Sequence, residues 1–170
     1  MKFGANTGSA LGKHFISLKD GEQVIGLLSG EPFEFRTHWV DKRSDVCVGT
    51  GCAHCDAGVK SSFRFRMNLL VSGEDKKPVA KILEQGSKLY NALKELNEEV
   101  PLEENYIKVK RAGSGQFDTE YSVTPVLKQK VTAETKRILS DIKLLPLNPN
   151  DDFWKGSTGE TTEDDSAVPF

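Results

Sequence analysis

Three cysteines and a histidine carry the most specific chemistry in this 170-residue chain. In HWVDKRSDVCVGTGCAHCDAG, residues His38, Cys47, Cys52 and Cys55 follow a His-x8-Cys-x4-Cys-x2-Cys spacing. Structural zinc takes four nitrogen or sulfur donors at the corners of a tetrahedron, and a Cys-x2-Cys pair on a Gly-containing turn supplies two adjacent corners. Cys47 offers a third. The fourth is His38 or His54, the residue inside the pair. His38 is preferred, because a residue between two ligands of a tight turn points away from the metal, whereas His38 ends a strand onto which the loop can fold back. A bound Zn2+ would order a loop spanning about 38–58, and its role would be structural, since four protein donors leave no open position for a substrate. The competing chemistry is a thiol oxidoreductase using Cys52 and Cys55, which needs a thiolate activated at a helix N-terminus. Gly49, Gly51 and Gly58 surround the pair and no helical pattern follows Cys55, which favours the metal.

A second set of residues suits a polyanion. Arg36 lies on the polar parity of FEFRTHWV, and Arg64 and Arg66 lie on the polar parity of FRFRMNLLV. If those strands pair, the arginines are expected to form one cationic patch beside the metal loop. Lys42 and Arg43 begin that loop, and Lys108, Lys110 and Arg111 lie on a later strand. Single-stranded nucleic acid is held by such a groove, with aromatic rings as platforms for bases. Trp39, Tyr106 and Phe117 are the rings near strand ends or loops. Phe33, Phe35, Phe63 and Phe65 are assigned to the core, and Trp39 shares the parity of Phe33 and Phe35, so its exposure would need a bulge.

The charge is divided unevenly. The last 23 residues hold six acids and one base, so a chain with net charge −2 consists of a basic body and an acidic appendage. Its tip, TTEDDSAVPF, offers a tethered ligand: Phe170, behind Pro169, for an apolar pocket, and Asp164 and Asp165 for a cationic rim.

These residues must be positioned by strands. HFISL runs into Asp20-Gly21, a hairpin dipeptide, and is followed by QVIGLL and FEFRTHWV. In FRFRMNLLV, Phe63, Phe65, Met67, Leu69 and Val71 share one face while Arg64, Arg66 and Asn68 share the other. A short strand is expected around Val79–Leu83. A helix then opens at Gly86-Ser87, with Leu89, Leu93, Leu96 and Val100 on one stripe, and Pro101 ends it. Strands follow at 106–110 and 120–126, and a second helix starts at Thr132 as N-cap, carrying Ile138, Leu139 and Ile142 inward. The fold class expected is mainly β with two short helices. Five or six strands with one helix before the last pair is the element order of an OB-fold barrel, here with a zinc-binding loop. The domain spans 1–147, and 148–170, rich in Pro, Asp, Gly, Ser, Thr and Glu, reads as a disordered acidic tail.

Composition sets the outer limits. With 37% hydrophobic and 28% charged residues the chain can pack a core, and no apolar run approaches the roughly 18 residues of a membrane span. The start, MKFGANTGSALGKHF, lacks the apolar stretch of a signal peptide, so a cytoplasmic location is expected. His14 stands alone and no nucleophile, acid and base come together, so an enzyme is not expected.

The tip resembles that of bacterial single-stranded DNA-binding proteins, whose tails end in acidic residues followed by Ile-Pro-Phe or similar. Here Asp164, Asp165, Pro169 and Phe170 match, Ser166 and Ala167 interrupt the acidic run and Val168 replaces isoleucine. The His38, Cys47, Cys52, Cys55 set is similar, at shorter spacings, to the zinc site of T-even phage helix-destabilising proteins. Residues 15–147, with HWV, FRFRMN and the AGSG hairpin before TEYSVTPV, look like those of phage-encoded single-stranded DNA-binding proteins. The resemblance implies an OB-fold protein that coats single-stranded DNA in phage DNA replication, recombination or repair. Partner proteins of those processes would be recruited through the tail, in the bacterial host. An OB-type RNA-binding module with the same zinc element is the alternative.

Overall fold

The structure, a computed structural model, describes residues 12–115 and 117–155. Six strands form one mainly antiparallel sheet: β1 (Gln23–Val40), β2 (Arg43–Val46), β3 (Ser61–Ser72), β4 (Pro78–Gln85), β5 (Asn105–Ala112) and β6 (Glu120–Lys130). The helices are α1 (Ala53–Asp56), α2 (Ser87–Glu99) and α3 (Ala133–Ser140), with a 3-10 turn at Gly12–His14. The two expected helices are α2 and α3; α1 is a single turn that starts after Cys52 and contains Cys55.

Strand order is β4-β3-β1-β5-β6, with β2 hanging from the far end of β1. Among the described residues the sheet does not close: β4 and β6 are its edges, so the barrel expected from the element order is not seen. QVIGLL and FEFRTHWV form one 18-residue strand that pairs with β5 at its start and β3 along most of its length. It can serve both because the register slips between Ser29 and Phe33, where Gly30 adopts φ +76°. A left-handed residue with no Cβ accommodates that bulge without steric cost. Gly26 sits at a close crossing, where a Cβ would lie 2.6 Å from the Leu70 carbonyl oxygen.

The alternation in FRFRMNLLV survives in the structure. Phe65, Leu69 and Val71 are buried on the inner face with Leu28, Leu83, Ile107 and Val109, and α2 adds Leu89 and Leu93. Thr132 caps α3 by accepting from the Thr135 N–H. Ile138, however, is exposed and α3 buries no residue, so the inward stripe expected there is only half-buried, at Leu139 and Ile142.

Three expectations give way. HFISL is no strand: a lone parallel bridge joins Phe15 to Ile82 on the β4 edge. β2 lies inside the segment expected to be loop; it exists because the two-residue turn Asp41-Lys42, both at positive φ, folds it onto β1. The folded body also continues past 147. Asn68, on the outer face, donates to and accepts from the Leu145 backbone at 3.0 and 2.9 Å, and Trp154 is only 6% exposed. Trp154 packs against Phe15 and the Arg66 guanidinium, with centroid distances of 5.4 Å to each. The Asn68 clamp and the buried indole together hold residues 145–155 on the sheet as a strap. Residues 156–170, including Asp164, Asp165, Pro169 and Phe170, lie outside the described residues.

Candidate metal centre and surrounding cationic surface

The far end of β1 builds the cluster. His38 lies on β1 between Ser61 of β3 and Asp45 of β2, and its side chain is fully buried. Cys47 immediately follows β2, its N–H bonded to the Arg36 carbonyl at 2.8 Å. Cys52 caps α1 and Cys55 lies within it. Four ligand atoms, one from each of His38, Cys47, Cys52 and Cys55, lie within 4.8 Å of one another.

The distances suit one ion. A tetrahedral zinc with Zn–S ~2.3 Å and Zn–N ~2.0 Å sets edges of ~3.8 Å between sulfurs and ~3.5 Å between sulfur and nitrogen. His38 Nε2 lies 3.5 Å from Cys52 Sγ and 3.4 Å from Cys55 Sγ, and Cys47 Sγ lies 3.6 Å from Cys55 Sγ. The donors therefore fit a zinc ion. Nδ1–H of His38 donates to the Lys60 carbonyl at 3.2 Å, which fixes the tautomer that presents the Nε2 lone pair inward. His54, the alternative fourth donor, turns away: its Nε2 meets Asp45 Oδ2 at 3.1 Å and its ring lies against that of His38.

Electrostatics point the same way. The Cys52 thiol is lowered to about 6, first by the Cys55 backbone N–H and then by those of Val48 and His54. Cys47 is lowered by the Gly49 N–H and by His38, whereas Cys55 is pushed up to about 11 by the Cys47 side chain, then by burial. Backbone amides thus favour anionic sulfurs while the sulfurs disfavour one another. A divalent cation bound there would relieve that conflict.

The arginines do not make the single patch expected of them. The β1–β3 register sets Arg36 opposite Phe63 but Arg64 opposite Phe35 and Arg66 opposite Phe33. Arg36 therefore shares the inner parity with His38 and Phe65, while Arg64 and Arg66 share the outer one with Phe33, Phe35 and Trp39. Parity alone gives each strand two faces; only the register says which faces join. Phe33 and Phe35 accordingly leave the main core and lie half-buried on the outer face, with Arg66 5.3 Å from the Phe35 ring. Trp39 needs no bulge to be 70% exposed, because its parity is the outer one.

Several cations are already engaged. Glu84 receives Arg66 at 2.6 Å and Arg64 at 3.2 Å. Arg66 Nη1 is buried with no hydrogen-bond partner among the described residues. Arg111 is structural, donating to the Leu18 carbonyl at 2.7 Å and to Gly113 and Thr119, and so bracing the β5–β6 turn. Arg43 pairs with Asp45 at 3.2 Å. Lys42, at the hairpin tip, and Lys108 and Lys110, on the outer parity of β5 with half-buried Tyr106, have no acid partner among the described residues. Phe117, in the β5–β6 loop, is 97% exposed. Sequence reasoning missed Trp154 and Glu84, the first because it sits in an acidic stretch, the second because its role depends on the β3–β4 register.

No described helix is long and apolar enough to cross a membrane. Comparison of the chain with family models, curated proteins and solved structures finds no match in any of the three.

Proposed function

We propose that the chain is a sequence-independent single-stranded DNA-binding protein whose β1–β2 hairpin is anchored by a structural zinc ion. The observation that carries this reading is Trp39. It stands 70% exposed on the outer face of β1, one residue from the ligand His38 and two residues before the basic turn that brings in Lys42 and Arg43. A large ring in water, rigidly mounted beside cations, is what base stacking with backbone neutralisation requires.

The strand order supports the reading as well. A long, bulged first strand shared between two halves, with a helix between β4 and β5, is the arrangement of an OB-type sheet, whose nucleic-acid face is the outer side of its central strands. On that side lie Phe35, Arg64 and Trp39. Lys108 and Lys110 extend the charge onto β5. His38, Cys47, Cys52 and Cys55 would hold the zinc, which supplies rigidity rather than reactivity. The acidic tip, with Asp164, Asp165, Pro169 and Phe170, would recruit replication, recombination or repair proteins.

Titration of labelled oligothymidylate at several salt concentrations tests the function. Affinity should fall by about 0.7 log units per log unit of salt for each phosphate neutralised. Binding that prefers matched RNA would convert the reading to an RNA-binding module. No binding at low ionic strength, or equal preference for duplex, would overturn it.

A further inference from the structure

The open seam of the sheet is itself lined with cations. β4 reaches only as far as the Phe65–Gln85 pair, so residues 61–64 of β3 have no strand on that side, and β6 does not come across to pair with them. The gap is a cavity of about 750 Å3. Arg36 enters it from β1 and Arg64 from β3, Lys88 from the start of α2, and Thr119 and Tyr121 from the start of β6. Arg36 and Arg64 belong to opposite faces of the sheet, and they meet here because the cavity wraps round the unpaired edge of β3.

The charge in the cavity is not balanced by its surroundings. Arg36 is held by neutral acceptors, Ser61 Oγ at 2.7 Å and the Ser61 carbonyl at 3.0 Å, so its orientation is fixed while its charge stays uncompensated. Arg64 shares a single carboxylate, Glu84, with Arg66. Lys88 is exposed with no acid partner among the described residues. Against these stands Glu120 alone on the lining. A net positive slot with hydroxyls from Ser62, Ser87 and Tyr121 offers charge and directional donors to tetrahedral oxyanions.

We propose that this seam is a phosphate-binding cleft for the sugar–phosphate backbone, separate from the stacking face around Trp39. Its occupant is a phosphodiester of the nucleic acid that the protein binds, so the assignment rests on the DNA-binding reading for its biological source. The bases stay on the outer face while the backbone turns round the β3 edge. An opening where strands would otherwise pair thereby becomes part of the binding path.

Two measurements on the full chain test the cleft. Thymidine 3′,5′-bisphosphate should shift the amide resonances of Ser87, Lys88, Thr119 and Tyr121 saturably and leave those of the Trp39 hairpin in place. Substitution Lys88→Glu, at an exposed position, should abolish those shifts and lower the salt slope of oligothymidylate binding by about 0.7 or more. Arg36→Lys should keep charge but lose the fork held by Ser61, weakening the bisphosphate more than tenfold. Absence of bisphosphate shifts in the cleft, or an unchanged salt slope in Lys88→Glu, overturns the cleft while leaving the DNA-binding reading intact. Cleft shifts in a protein that binds no oligonucleotide would overturn that reading instead.

Discussion

His38 presents Nε2 to Cys52 Sγ at 3.5 Å, and this approach ties the end of β1 to the start of α1 across the loop between them. The loop between them has little else to bury, so the contact organises the hairpin that carries Trp39. Metal retention and hairpin order should be a single property. Cys52→Ser should lower the metal content from one ion per chain to near zero. It should also raise the hydrogen-exchange rates of residues 41–58, measured by mass spectrometry, with little change in β5 and β6.

Acidification should strip the metal. The ligating forms are thiolates and a neutral imidazole, so protons compete with the ion. His38, raised from its ordinary 6.5 chiefly by its hydrogen bond with Cys47, takes up a proton more readily than a free imidazole as the pH falls and loses its ligand lone pair in doing so. Cys55, pushed up to about 11, holds its proton at pH 7 in the metal-free protein and must release it on binding. Calorimetry in buffers of different ionisation enthalpy should therefore register at least that proton released. Affinity should rise with pH across 6–8, and a flat profile would contradict the assignment.

Trp39 is expected to matter for binding and not for stability. Trp39→Ala should weaken oligothymidylate binding by about 1–3 kcal/mol, roughly 5- to 150-fold at fixed salt, because a stacking platform is lost. Its Tm should stay within a degree or two, since the ring is 70% exposed and buries little area. Fluorescence anisotropy and thermal melts of the same sample separate the two effects.

Asn68→Ala removes the clamp that holds the strap. The amide is 2% exposed and satisfies both the N–H and the C=O of Leu145, so its loss leaves two backbone groups without partners. The cost should be about 1–3 kcal/mol, a Tm lower by roughly 2–12 °C. Limited proteolysis should cut between 141 and 155 earlier than in the parent.

Gly26→Ala should be more damaging than a surface change of equal size. The added Cβ would meet the Leu70 carbonyl oxygen at 2.6 Å and Leu69 Cγ at 2.8 Å, forcing β1 and β3 apart where β1 passes from one partner strand to the other. Overpacking of this kind costs about 1–3 kcal/mol. Urea denaturation should show a lower midpoint with an unchanged slope.

Some of the architecture could be read without coordinates because its causes are local. The side chains at 63, 65, 67 and 69 alternate with the polar Arg64, Arg66 and Asn68, and a strand has no way to bury that set other than on one face. Thr132 caps α3 through its own side chain, and α2 starts and stops at Gly86 and Pro101. The ligand set was equally readable, since a tetrahedral ion needs four soft or borderline donors and the residues around 38–55 supply them within a short reach.

What the chain's own order of residues determined was which groups could act: the four donors, the strand periodicities and the charge division between body and tail. Tertiary structure alone decided how those groups are shared out. The β1–β3 register put Arg36 and Arg64 on different faces, Glu84 quenched part of the expected patch, and Trp154 pulled an acidic segment onto the sheet. Periodicity fixes the faces of one strand at a time, whereas register, edge pairing and cross-sheet packing depend on residues far apart in sequence and are set only when the whole core assembles.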